Sequence, residues 1–320
     1  MKVVIPQDIT AAGKDYLLER GYELVIGSGK TDIESMKEQV KDADAILART
    51  APYPAEVLEA AGPNLKVIGR HGIGVDNIDV DWCTEKGIYV CFAPTSNAVS
   101  VAEHTVGMMV ACAHHFAYFD AEVRKGNWEM RNTRKGVDLQ GKTLGLIGMG
   151  RIGSMVANIC MKGFGMNVIG YDAYLPADRY PEGAVKVETI EEVLKNADFV
   201  SLHVPSTPET RGFINKDTLA MMKPTAFLVN CARGDVVNID DLAVALKNGV
   251  IRGAGTDVVP AEPPAKDCPL FECDNIIMTP HSAALTQESM DRMGLHAAMG
   301  IHSVLSGEKP DWAVNGAKLG

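Results

Sequence analysis

Apolar and polar positions along the first hundred residues alternate between two periods. Short apolar runs, VVI at Val3–Ile5, ELVI at Glu23–Ile26, AIL at Ala45–Leu47, VIG at Val67–Gly69 and IYV at Ile88–Val90, have the length of strands. Between the early ones, Ile9–Arg20 and Asp32–Lys41 repeat apolar residues at helical spacing. Strands alternating with helices predict a parallel sheet covered by helices on both faces. A second series begins at Thr143: a strand in TLGLIG, a helix over Ile152–Phe164, a strand in NVIGYD (Asn167–Asp172) and a helix over Ile190–Asn196. Strands at Phe199–His203 and Ala226–Asn230, a helix at Asp240–Asn248, and strands at Ile251–Thr256 and Ile276–Thr279 complete it, and from Leu285 the chain reads as helix and then loop. The fold class is therefore α/β, with two doubly wound domains and a ligand expected in the cleft between them.

Between the two series, Val99–His114 is apolar on more than one helical face, more than its own domain is expected to cover. Two readings stay open, a buried interdomain helix and part of a subunit interface. The second predicts a homodimer through Val99–Tyr118. Glu103 and His104 interrupt this stretch, so it does not read as a membrane span.

The 320 residues are 46% hydrophobic, enough for two cores rather than one, since single cores stop growing near ~250–300 residues. The net charge of −10 argues against nucleic acid as a partner. Any anionic substrate must then meet a local basic pocket. Seven cysteines, an odd number with no CxxC pair, sit mostly in apolar runs, and MKVVIPQDIT has no signal-peptide pattern. We expect a cytoplasmic protein that avoids the membrane. Eight histidines include the adjacent pair His114-His115 and His104 beside Glu103, neither with the i, i+4 spacing of a helical zinc site, so no metal is expected.

Gly148-Met149-Gly150-Arg151-Ile152-Gly153 is GxGxxG between a strand and a helix. Gly148 suits the tight turn, Gly150 the approach of a pyrophosphate, and Gly153 close packing of helix on strand. The amides of Arg151 and Ile152 open the helix, where an anion is favoured. Nineteen residues after Gly153, Asp172 ends the next strand, as a ribose-binding carboxylate should, and it would repel a 2′-phosphate. The cofactor expected is NAD. His203 ends a later strand, where it approaches the cofactor or serves a structural role, and Cys231 at another strand end is grouped with the cofactor contacts.

Reduction of a keto acid needs a cation for the carboxylate and carbonyl, and a general acid, a task that suits histidine. Arg233, Glu262 and His281 each follow a strand, on the edge where parallel sheets bind ligands. Each alone also has an ordinary reading: a surface cation, a solvated loop acid, a capping or core histidine.

Together with HVPSTPETRGFIN, KPTAFLVNCARGDVV, IRGAGTDVVPAEPP, GMGRIG, MTPHSAA and GRHGIGVDNID, these residues make the chain resemble the D-isomer-specific 2-hydroxyacid dehydrogenases over nearly its whole length. The nearest likeness is to D-3-phosphoglycerate dehydrogenases and hydroxypyruvate or glyoxylate reductases. The resemblance implies a Rossmann NAD domain over residues 99–287. It also implies a discontinuous, flavodoxin-like substrate domain over residues 1–98 and 288–320, with a hinge at the crossings. It assigns Arg233 to the substrate carboxylate and carbonyl, His281 to proton transfer, Glu262 to His281 and Asp257 to the nicotinamide carboxamide. The backbone of Gly72-Ile73-Gly74 would clamp the carboxylate, and Asn97 would lie near the crossing. Arg49 and Arg70 end strands of the first domain, and the matching arginines of phosphoglycerate dehydrogenases face the substrate phosphate. The local alternative is that they pair with acids such as Asp76 or Asp79. His71 stands where relatives often carry a small or aromatic residue. The partner expected is a small anionic 2-keto or 2-hydroxy acid, with 3-phosphohydroxypyruvate or hydroxypyruvate preferred. A sulfolactate-type substrate and an NAD-sensing corepressor role are the alternatives.

Overall fold

A computed structural model describes residues 1–319 and divides the chain into two compact units, residues 1–97 with 284–319, and residues 98–283. The crossings fall at Asn97–Ala98 and Ala283–Ala284.

The first unit is built on a parallel sheet of five strands: β1 (Lys2–Ile5), β2 (Glu23–Ile26), β3 (Ala45–Ala48), β4 (Val67–Arg70) and β5 (Tyr89–Cys91), in the order β2-β1-β3-β4-β5. Alternate residues of each strand feed different cores. Val4, Ile46, Ile68 and Val90 pack with Met36, Val57 and Leu58 on one face. Val3, Ile5, Leu47 and Val67 pack with Leu17, Ala297 and Ile301 on the other. Each such fully buried aliphatic side chain contributes about 1.5–3 kcal/mol. The second face needs the helix Gln287–Leu305, which packs on the helix Ala11–Leu18 and on β3, β4 and β5. Thr286 starts that helix by accepting a hydrogen bond from the Ser289 amide.

The second unit holds seven parallel strands: β6 (Thr143–Ile147), β7 (Asn167–Tyr171), β8 (Ala184–Lys186), β9 (Phe199–Leu202), β10 (Phe227–Asn230), β11 (Gly253–Thr256) and β12 (Ile276–Met278). Their order is β12-β11-β10-β9-β6-β7-β8. From β6 the chain winds outward to β8 on one side, then crosses to β9 and winds outward to β12. The switch point therefore lies between β6 and β9, where doubly wound sheets bind ligands. Strands β9, β10 and β11 are buried at every residue, as strands covered on both faces must be.

The apolar helix Ala98–Ala113 belongs wholly to this second unit. It packs on the helix Arg151–Phe164 and on β10, β11 and β12. Gly255 permits the approach: a Cβ there would stand 2.4 Å from Met108 Cγ. Its several apolar faces are thus largely satisfied inside one unit, whereas the sequence suggested cover from outside it. Exposed apolar side chains remain at Val99 and, beyond the helix, at Phe116, Val123 and Trp128. The pattern missed β8 and the short helices Ala55–Ala60, Val80–Glu85 and Lys216–Leu219, because three to six residues are too few to establish a period. Among the described residues, no helix is long and apolar enough to cross a membrane.

Candidate active site

The carboxyl ends of β6, β7, β9, β10, β11 and β12 bring the second unit's expected site residues to one edge of one sheet. At β6, Gly148 has φ +96°, a conformation that favours glycine, and a Cβ there would stand 2.5 Å from the His203 carbonyl oxygen. Gly153 lies against the Gly148 carbonyl, where a Cβ would meet oxygen at 2.2 Å. Gly150 is different: it caps the helix Arg151–Phe164 without a side chain of its own, and among the described residues no atom lies within 4 Å of the place a Cβ would take. An open space over the N-terminus of a helix is what a pyrophosphate requires, so these residues fit a dinucleotide.

Asp172 closes the loop from the other side. One carboxylate oxygen accepts from the Met149 amide at 2.9 Å, and the other accepts from the amides of Tyr174 and Leu175 at 2.9 Å each. Burial disfavours its charge, but these three donors and Lys186 outweigh that and hold the carboxyl below its ordinary range. The residue expected to bind ribose therefore also ties β7 to the glycine-rich loop. His203 ends β9 with Nε2 3.0 Å from Ser201 Oγ, and burial brings its pKa down to about 4, so the ring is neutral near pH 7. Cys231 is buried, and burial holds its thiol up to about 12.

At the ends of β10 to β12, His281 Nδ1 stands 2.7 Å from Glu262 Oε2. The bond to Glu262 raises the histidine's pKa against the opposing effects of burial and Arg233, with the Asp257 charge adding to the rise. Burial raises the Glu262 carboxyl, but His281, the Val259 amide at 3.2 Å and the Arg233 charge together bring it below the ordinary range. The ring's Nε2 edge is left for a reacting group, and half of the His281 side chain is exposed. Arg233 follows β10 with Nη1 donating to the Ala232 carbonyl at 2.8 Å. Asn230 fixes that loop by donating from Nδ2 to the Arg233 carbonyl at 2.8 Å.

Asp257 lies deep at the end of β11, 1% exposed. One oxygen accepts from Thr279 Oγ1 at 2.5 Å and from the Ser282 amide at 2.8 Å, the other from the Ala283 amide at 2.9 Å. Its carboxylate is spent on the turn that carries His281, and its carbonyl accepts from the His281 amide at 2.7 Å. His281 itself has φ +50°, a conformation uncommon outside glycine, which this turn sustains. His104, which sequence reasoning considered only as a metal ligand, reaches the same group: its Nε2 is 3.1 Å from Thr279 Oγ1 and 3.7 Å from Asp257. No local signal marks it, since the contact spans 175 positions.

In the first unit, Arg49 and Arg70 end β3 and β4. Arg49 Nη1 donates to the Asp8 carbonyl at 2.7 Å, and Arg70 Nη1 donates to the His71 carbonyl and lies against Gly72, whose φ is +143°. Asp79 is engaged in capping the helix Val80–Glu85 through the Trp82 amide. His71 is 4% exposed, and burial, with the Arg49 and Arg70 charges, brings its pKa down to about 4. Among the described residues, the buried His71 Nε2, Tyr53 Oη and Asn97 Oδ1 have no hydrogen-bond partner. Ile73 and Gly74 complete the loop and are half-buried. Nothing in the sequence around Tyr53 singles it out.

Residues 106–283 match the family described as "D-isomer specific 2-hydroxyacid dehydrogenase, NAD binding domain". The chain belongs to the D-isomer specific 2-hydroxyacid dehydrogenases. Among curated members, it is 46% identical over 301 residues to the D-3-phosphoglycerate dehydrogenase of Methanocaldococcus jannaschii, covering 93% of this chain and 56% of that one. The chain thus spans little more than half the length of such relatives. Among solved structures, the TT0316 protein of Thermus thermophilus aligns with a TM-score of 0.91 at 34% identity, covering 98% of this chain and all of that one. D-lactate dehydrogenase from Aquifex aeolicus, solved with NAD and lactic acid, aligns with a TM-score of 0.83 at 31% identity over 96% of both chains. A 2-hydroxyacid dehydrogenase architecture accounts for both sheets found here, the seven-stranded one being the NAD-binding domain.

Proposed function

We propose that this chain interconverts a small D-2-hydroxy acid and its 2-keto acid. The observation that carries the reading is the 2.7 Å His281–Glu262 pair, set beside Arg233 on the sheet edge that also holds the glycine-rich loop. NAD, when bound over Gly148–Gly153, supplies or accepts the hydride. In reduction His281 gives its proton to the carbonyl oxygen, and in oxidation it takes the proton from the hydroxyl. Glu262 raises the ring's pKa, favouring the protonated form, and fixes its orientation. Arg233 binds the carboxylate and draws electron density toward the carbonyl oxygen.

From the first unit we assign the Gly72-Ile73-Gly74 backbone to the substrate carboxylate, and Arg49, Arg70 and His71 to a second polar or anionic group. The unpartnered, buried His71 Nε2 and Tyr53 Oη support such a group, because buried polar atoms without partners are costly. The name carried by the curated relatives points the same way, and 3-phosphohydroxypyruvate or hydroxypyruvate is the substrate we favour. We further propose a cytoplasmic setting, consistent with seven unpaired thiols, and a homodimer. The test is NADH oxidation with glyoxylate, pyruvate, hydroxypyruvate, 3-phosphohydroxypyruvate and sulfopyruvate. Turnover of none of them would reject the reading.

A further inference from the structure

The buried turn that presents His281 hangs on a single carboxylate, and that carboxylate is reached by a second histidine from a different element. Asp257 accepts from Thr279 Oγ1, from the Ser282 and Ala283 amides and, at 3.4 Å, from Ser282 Oγ. A hydroxyl has one proton to give. Thr279 spends it on Asp257 at 2.5 Å, so toward His104 its oxygen can only accept. His104 must therefore carry a proton on Nε2, and the tautomer follows from the order of donors and acceptors. Its ring is only 24% exposed, and the helix Ala98–Ala113 that carries it is held on β10, β11 and β12 by close packing, including that of Met108 on Gly255.

We infer that His104 is a positioning residue for His281, acting through the chain His104 Nε2–H, Thr279 Oγ1–H, Asp257 carboxylate. By donating to Thr279 it polarises the hydroxyl toward Asp257, which strengthens that bond and offsets part of the carboxylate's charge. The backbone of the same residues then sets the place of the His281 ring: the His281 amide donates to the carbonyls of Asp257 at 2.7 Å and Thr279 at 3.0 Å. Losing the His104 donor has two consequences. The turn loosens, and the Asp257 charge acts more strongly on His281. The charged groups that bear on His281 are Glu262, Asp257 and Arg233. Asp257 also faces the Cys231 thiol, which burial keeps protonated.

The inference rests on the dehydrogenase reading for its kinetic consequence but not for its structural one, so two readouts separate them. The first is the titration of the His281 ring, followed by NMR in the parent, His104→Ala and His104→Gln proteins. Glutamine keeps a donor near the place of Nε2. The midpoint should rise in His104→Ala, as the less-compensated Asp257 charge favours the imidazolium, and return to the parent value in His104→Gln. The second is kcat for keto-acid reduction, which should fall roughly 10- to 100-fold in His104→Ala, as expected for a slightly misplaced acid, with little change in KM for NADH and recovery in His104→Gln. A merely structural histidine would lower stability and leave the midpoint where it was. A parent without turnover but with the shifted midpoint would reject the dehydrogenase reading and keep the wiring. An unchanged midpoint in His104→Ala, or an Nε2 found unprotonated in the parent, would overturn the inference.

Discussion

Gly234 presses directly on the backbone of Val259: a Cβ at Gly234 would stand 2.0 Å from the Val259 carbonyl carbon and 2.2 Å from its oxygen. This contact docks the loop after β10, which carries Arg233, on the loop after β11, which carries Glu262. Because the obstacle is backbone, no rotamer change relieves it. Gly234→Ala should cost about 1–3 kcal/mol of stability, as overpacked sites do. It should also lower kcat/KM by about 10²-fold through a displacement of Arg233 near 1 Å. Thermal unfolding and steady-state kinetics measure the two effects. Parent-like values in both would show that the two loops move independently.

His281→Ala should lower turnover by about 10²–10⁴-fold while NADH still binds, because only proton transfer is lost. Glu262→Gln tests the pair more finely. Glu262 raises the His281 pKa, and the proposed keto-acid reduction needs the protonated ring, so activity should be lost as pH rises through that pKa. Removing the carboxylate lowers the pKa and should move this high-pH limb to lower pH. A limb that stays in place would separate Glu262 from His281 in function.

On the proposed function, the protein should prefer NADH to NADPH, since Asp172 would face a 2′-phosphate. Asp172→Ala should narrow the preference. It should also lower the unfolding temperature, because three backbone amides lose their acceptor. Equal kcat/KM for the two cofactors in the parent would remove Asp172 from discrimination and leave it the loop-fixing role alone.

Arg49→Ala and Arg70→Ala should each weaken reduction of 3-phosphohydroxypyruvate by roughly 10–150-fold, about 1.5–3 kcal/mol for a charge-assisted contact. Pyruvate, which lacks the second group, should be much less affected. Equal losses on both substrates would mean that the arginines only brace their loops, as the Arg49–Asp8 and Arg70–His71 carbonyl contacts already do in part.

The exposed apolar side chains of Val99 and Phe116 accord with a homodimer through residues 99–118. Sedimentation at micromolar concentration should give twice the chain mass, and Phe116→Asp should shift it toward the monomer. A monomeric parent would refute the arrangement.

Much of the fold and the site could be read directly along the chain, because the signals are local. A parallel strand buried on both faces is an unbroken apolar run, as in Phe199–Leu202. A helix start shows its cap, as Thr189 and Asn238 do. The glycine-rich loop needs φ > 0 at Gly148 and room at Gly150, which few other residues provide. Arg233, Glu262 and His281 each follow a strand, so their shared edge comes from sheet topology alone. What only the tertiary structure decided are the contacts between distant residues. The apolar helix Ala98–Ala113 spends its faces on β10–β12 and the helix Arg151–Phe164, a matter of packing partners that its own period does not encode. Asp257 turned out to hold the Thr279–Ala283 turn, Asp172 to hold the Met149 loop, and His104 to reach Thr279 across the unit. A carboxylate or an imidazole looks the same in a sequence whether it meets a ligand or a buried amide. Only the positions of its donors and acceptors distinguish the two, and those are set when separate strands and helices pack.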